Sequence, residues 1–188
     1  MALVLIKEDG TGTLAANSYA TAAEGDSYFD GRLFTSAWTA ATTGTKEAAL
    51  VFATTLIDAQ FRFNGYRLLN TQQLQWPRQQ CPDPDRLING SSNPLSSALV
   101  SDEGFLPSNA VPKLVMTACI ELARELILVD RTLPAAGEGQ KYYNSGTTIT
   151  GFDKKDKPPL IPKVSVAMLE RYGVQQGGRS GVAQLIRS

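Results

Sequence analysis

Residues 109–130 read NAVPKLVMTACIELARELILVD. Val111, Val115, Ala118, Leu122, Leu126 and Val129 recur at steps of three and four, and Leu114 and Cys119 widen the stripe. One continuous apolar face at that period predicts an α-helix from Asn109 to Asp130. Ser108 or Asn109 can cap it. Pro112 is tolerable because it falls in the first turn, where a missing N–H breaks no helical hydrogen bond. A helix of this length is a rod of about 30 Å. Burying six such side chains contributes about 10–15 kcal/mol gross, largely offset by the entropy of ordering them. This segment is the expected spine of the fold.

Two further helices are predicted upstream. Thr43–Thr45 opens one that runs to about Phe63, with Ala49, Phe52, Ala53, Leu56, Ile57 and Gln60 as its core stripe and Gly65 as its stop. Thr21-Ala22-Ala23-Glu24 has capping-box spacing and starts another, with Ala23, Tyr28 and Phe29 on the buried side and Gly31 at its end. Between them, Leu33–Ala41 places Phe34 and Trp38 four apart on one helical face. Leu3–Ile6 suits a short strand followed by a glycine turn at Gly10–Gly12.

Downstream of the second helix, Pro77 keeps Trp76 extended. The Trp76 indole is expected over a helix, with Arg78 reaching a carboxylate or a helix end. Residues 79–107 carry Pro82, Pro84, Pro94 and Pro107 around Asn89-Gly90-Ser91-Ser92, with no surviving period, and read as a long surface loop. Beyond Pro134 the chain turns glycine-rich around Tyr142-Tyr143, and Thr147–Thr150 reads as a strand or extended arm. A last helix is predicted at about 161–172, then a flexible stretch from Gly173 to Gly181. Val182, Leu185 and Ile186 have helical spacing that suits either a docking peptide or a frayed end. The fold class expected is mainly α: a small helical bundle with short β or extended segments, a long proline-rich loop and an extended C-terminal arm. The division expected is residues 1–134 as the helical domain and 135–188 as the arm.

The 188 residues carry no net charge, but unevenly: 7 Lys/Arg face 11 Asp/Glu in residues 1–112, and 11 face 7 in residues 113–188. A neutral chain lacks the broad basic footprint of most phosphate-backbone binders, although a local patch suffices where DNA merely passes by. No run of about 18 apolar residues suits a membrane span. The apolar residues 1–6 run straight into Lys7-Glu8-Asp9, leaving no signal-peptide core. The expectation is a protein made and used in a reducing cytoplasm, with Cys81 and Cys119 as free thiols.

Chemistry is sparse. With no histidine in the chain, the commonest general base, the commonest metal ligand and every Ser/His or Cys/His nucleophile pair are gone. Two distant cysteines alone make no ordinary structural zinc site. Gly10-Thr11-Gly12-Thr13-Leu14-Ala15 mimics a dinucleotide fingerprint, but no strand–helix–strand succession surrounds it, and it reads as a tight turn. Asp83/Asp85 and Asp102/Glu103 read as solvated loop carboxylates. Tyr142, Tyr143 and Phe152 interleave with Lys154, Lys155 and Lys157, a pattern that stacks and neutralises single strands or lines a protein–protein seam. The neutral charge favours the seam.

Four signatures remain, in a fixed order: Glu8-Asp9-Gly10-Thr11-Gly12 running into Ala16-Asn17-Ser18-Tyr19; Leu74-Gln75-Trp76-Pro77-Arg78; Leu106-Pro107 through Val111; and the helical Ala118–Leu128. Together, over roughly residues 3–130, they resemble the head–tail connector (neck adaptor) proteins of tailed bacteriophages, a group also labelled DnaT-like single-stranded-DNA-binding proteins. The resemblance implies a mainly α subunit that forms a ring with copies of itself, usually a dodecamer, beneath the portal protein. Such a ring extends the DNA channel, lets packaged DNA pass without reading its sequence, and offers a platform to the next neck or tail-completion protein. In that setting Trp76, Pro77 and Arg78 are a structural signature bracing the loop layer. Residues 79–107 face a neighbour or the next ring, and residues 174–188 clasp the portal. Tyr142, Tyr143, Val182, Leu185 and Ile186 are the candidate partner-docking residues. The 79–105 insert and the C-terminal extension depart from the family's usual pattern, so partner contacts there are not carried over. No enzyme activity, catalytic residue, cofactor, metal or membrane partner is expected. The expected location is the host cytoplasm during assembly and then the virion neck. The alternative is a DnaT-like single-stranded-DNA binder that uses its basic C-terminal third.

Overall fold

The computed structural model describes residues 3–85, 104–133, 142–145, 148–151 and 159–176. The fold is mainly α. Helices α1 (Ala22–Asp30), α2 (Ser36–Ala40), α3 (Thr43–Gln60), α4 (Lys113–Leu128) and α5 (Lys163–Leu169) are joined by short antiparallel strand pairs. Strand β1 (Phe61–Phe63) pairs with β6 (Gly173–Gln175), β2 (Tyr66–Arg67) with β3 (Arg78–Gln79), and β4 (Tyr142–Ser145) with β5 (Thr148–Gly151).

The expected spine is α4, shorter than its stripe. Val115, Ala118, Cys119 and Leu122 are buried along it, facing α3 and α5. It begins at Lys113 because Pro112 itself is the N-cap, at φ −58° and ψ 139°, and its carbonyl accepts from Val115 and Met116 N–H. Ser108 and Asn109 lie in the preceding turn and cap nothing. Val129 is the exposed C-cap in extended conformation, outside the stripe.

Helix α3 is capped by Thr42, whose side chain accepts from Thr45 N–H. It ends at Gln60 rather than Phe63, because Phe61 and Phe63 are buried on either side of exposed Arg62. That alternation is a strand's, and β1 takes it up by stacking the two rings at 5.8 Å. The buried face of α3 carries Leu50 and Thr54 with Ala49, Ala53, Leu56 and Ile57; Phe52 lies outside it, 39% exposed.

The capping box on α1 forms as the spacing predicts. Its buried residues are Gly25 and Phe29, while Ala23 faces out. Gly25 is buried because Trp38 lies against it: a Cβ there would stand 2.3 Å from the indole Cζ2. Phe34 does not share Trp38's face. It precedes α2 with φ +60° and is 86% exposed.

Residues 159–176 are core, not arm, which corrects the division expected at 134/135. Ile161, Leu169 and Tyr172 are buried, and Ser165 Oγ donates to the Ala118 carbonyl at 3.1 Å. Gly173–Gln175, expected as part of a flexible stretch, is strand β6, and Gly173 lies so close to β1 that a Cβ would meet Arg62 O at 2.5 Å. The last helix spans Lys163–Leu169 within the wider range predicted. The loop expected at 79–107 has a stitched stem. Leu106 N–H donates to Cys81 O at 2.8 Å, Asp83 N–H to Gly104 O at 2.9 Å, and Cys81 is buried. Residues 86–103, with the Asp102/Glu103 pair, lie outside the described residues, as do Val182, Leu185 and Ile186. Among the described residues no helix is long and apolar enough to cross a membrane.

Candidate functional site

The Trp76-Pro77-Arg78 signature is a bracing point for the loops at one end of α3. Arg78 is buried, and its guanidinium spends its donors on one turn and one loop. Nε donates to Asn64 O (2.8 Å), Nη2 to Gly65 O (2.6 Å) and Phe63 O (3.3 Å), and Nη1 to Gln75 O (3.1 Å) and Gln75 Oε1 (3.0 Å). The expected carboxylate or helix end is therefore not its partner; backbone carbonyls are, in the fork geometry that a guanidinium suits. The fully buried Trp76 indole meets Phe63 of β1 edge-on at 5.6 Å and Tyr172 at 5.9 Å. The Trp76–Pro77 peptide bond is cis. Buried Gln72 completes the brace, donating to Leu74 O (2.8 Å) and Pro77 O (3.0 Å) and accepting from Leu69 N–H (2.9 Å).

Asp58 of α3 fastens this layer to the core. Its Oδ2 accepts the Gln75 N–H at 2.9 Å, and Oδ1 accepts a short bond from the Tyr19 hydroxyl. The Tyr19 oxygen in turn accepts from Trp76 N–H at 3.3 Å. Burial pushes the Asp58 carboxyl up to about 6, against the lowering pull of Tyr19, Gln75, Arg67 and Arg78. Burial likewise raises the Tyr19 hydroxyl well above its ordinary value.

The glycine turn Gly10–Gly12 binds an anion, and the anion is its own. Glu8, 1% exposed, accepts Gly10 and Gly12 N–H through Oε1 (2.9 Å each) and Thr13 N–H through Oε2 (3.0 Å). The donors a nucleotide phosphate would require are occupied, as the tight-turn reading expects. Gly10, at φ +102°, passes so near the Leu106–Val111 signature that a Cβ would fall 2.0 Å from Asn109 O.

Cys81 and Cys119 are free and buried. Burial pushes their thiols up to about 11 and about 12, so both are protonated and poorly nucleophilic at neutral pH. Among the described residues no group of three or more potential metal ligands gathers.

Two surfaces stand out. Leu33 and Phe34, 81% and 86% exposed, form a projecting loop whose Phe34 carbonyl is held by Arg124 Nη1 at 3.1 Å. Arg124 is itself tied to Glu121 and Glu125. On the braced turn, Arg62, Tyr66 and Arg67 are all exposed. Of the other described cations, Lys7, Arg32, Lys46, Arg124, Arg131 and Arg171 are each paired with a carboxylate. The candidate docking residues Tyr142 and Tyr143 sit on β4 opposite Gly151 and Thr150 of β5.

The sequence reading passed over Asp58, Tyr66, Arg62 and Arg67. The signal for the last three was present: Asn64-Gly65 between two short apolar or aromatic runs marks a turn, with Gly65 at φ +69°. Asp58 had only its position beside the buried Thr54 and Ile57 to betray it.

No curated protein and no solved structure matches the chain. The family described as "Putative DnaT-like ssDNA binding protein" matches residues 1–142, three-quarters of the sequence, and the protein belongs to that family.

Proposed function

We propose that the protein is a structural assembly subunit, a neck adaptor of a tailed bacteriophage that joins copies of itself and the portal into a ring around the DNA channel. The observation that carries this reading is the Leu33–Phe34 loop. Two large apolar side chains face solvent, and the second is held in a left-handed backbone conformation that costs a non-glycine residue about 1–2 kcal/mol. Arg124 fixes that conformation from α4. Exposing apolar area on a strained, anchored loop is costly for an isolated chain and useful to one that buries it against a partner. The ordered signatures and the pairing of most described cations with carboxylates support the same reading. The test is electron microscopy of the protein mixed with a cognate portal. Rings stacked on the portal are expected, and a mixture in which the two stay separate counts against the adaptor role.

A second reading, single-stranded-DNA binding, is favoured by the family's description. It predicts measurable affinity for oligonucleotides that falls steeply with salt. Titration of a labelled oligonucleotide at low and physiological salt tests it, and the absence of binding at low salt removes it.

A further inference from the structure

We propose that Arg62, Tyr66 and Arg67 form a contact surface for single-stranded nucleic acid, with Tyr66 stacking on a base and the two guanidiniums on flanking phosphates. This rests on the second reading above and gives it a place on the molecule.

The argument begins with what the cations do. Six described lysines and arginines are held by carboxylates, and Arg78 is buried among carbonyls. Four remain with no carboxylate within ion-pair distance among the described residues. Lys113 and Lys163 stand singly at the first residues of α4 and α5. Arg62 and Arg67 instead stand four residues before and one residue after Tyr66, which is half exposed. Arg67 gives one donor to Gln72 O at 3.2 Å, which orients the guanidinium without neutralising it.

The segment is also pre-shaped. The carbonyls of Phe63, Asn64 and Gly65, the three residues between Arg62 and Tyr66, are all held by Arg78. Gly65 lies so close to β3 that a Cβ would meet Gln79 O at 2.2 Å. Arg62 is fixed from the other side by the β1–β6 pairing, and Tyr66 and Arg67 by β3. Five residues of chain span at most about 17 Å, so the Arg62 and Arg67 backbones lie within the length of a few nucleotides. Exposed aromatic side chains combined with backbone-tracking cations are the sequence-tolerant device of single-strand binders, because every base has a face to stack. Arg78 acts here as a positioning residue.

Fluorescence anisotropy with a labelled oligothymidylate tests this on the full chain. Tyr66→Ala is expected to weaken binding about tenfold, and Tyr66→Phe, which keeps the ring, to restore it. Arg62→Ala and Arg67→Ala are each expected to lower the salt slope of log affinity by about 0.7. Lys113→Ala and Lys163→Ala should leave it unchanged. A duplex of equal length should bind more weakly, since its bases are not free to stack. If the wild type binds and the Tyr66 and arginine variants bind equally well, this placement is wrong while the second reading stands. If the wild type does not bind, both are wrong. Variants that lose portal attachment while oligonucleotide affinity holds would make the patch a protein contact and overturn the proposal.

Discussion

The Asp58 carboxylate accepts the Gln75 backbone N–H at 2.9 Å, fixing the loop before Trp76 to the last turns of α3. The same group is pushed up to about 6 by burial, against 3.8 for the free side chain. The folded protein therefore holds this proton more tightly than the unfolded chain does. The resulting stabilisation is fully present below about pH 4 and is lost as pH rises through 6. Its size is at most about 3 kcal/mol. Urea unfolding of the wild type and Asp58→Asn should give a stability difference that shifts against the wild type between pH 4 and 7. Asp9, Glu24, Asp26 and Asp130 are all lowered and slope the other way at more acid pH. They are common to both proteins and cancel. Parallel pH profiles would refute the assignment.

Arg78→Ala strands carbonyls of Phe63, Asn64, Gly65 and Gln75 and is expected to cost about 2–4 kcal/mol. Arg78→Lys should recover little, because one ammonium cannot reach acceptors spread across a fork. Chemical denaturation measures the loss, and hydrogen exchange should localise it to residues 63–67 and 75–79. A lysine variant as stable as wild type would contradict this account.

Gly25→Ala sets two effects against each other. Alanine gains about 1 kcal/mol of helix propensity over glycine. Its Cβ, however, would lie 2.3 Å from Trp38 Cζ2, and overpacking of a buried ring costs about 1–3 kcal/mol. The steric term should win. The variant is expected to melt below the wild type and to show altered Trp38 fluorescence; a higher melting temperature would show that α2 moves aside freely.

Phe34→Gly should separate folding from assembly. Glycine relieves the left-handed strain, so the isolated chain is expected to gain up to about 1 kcal/mol. Ring or portal association should weaken, because the projecting ring is gone. Unfolding curves and analytical ultracentrifugation with the portal give the two readouts. Loss of both stability and assembly would place Phe34 in the fold rather than at an interface.

The helices were legible because their periods are local. The α4 stripe, the Thr21–Glu24 box and the α3 pattern each lie within one segment, and each helix is present. What escaped was decided across the chain. Phe61–Phe63 left the helical reading because Gly173–Gln175, over 100 residues later, offers a strand to pair with. Residues 159–176 looked like an arm since nothing in their own sequence reveals that Ser165 meets Ala118. Of the candidate site, Trp76, Pro77 and Arg78 stand out in the sequence as a motif, and the structure shows Arg78 bound to backbone carbonyls. Those partners do not stand out, because a guanidinium bound to carbonyls leaves no complementary charge to search for. Burial of Gly25 likewise depends on where Trp38 comes to rest.

The stitched stem at Cys81, Asp83, Gly104 and Leu106 holds the two ends of the intervening segment together through backbone hydrogen bonds. Doubling the length of a chain segment closed by such a stem costs only about 0.6 kcal/mol. An epitope tag inserted between Asp85 and Gly104 is therefore expected to leave the helices to fold as before.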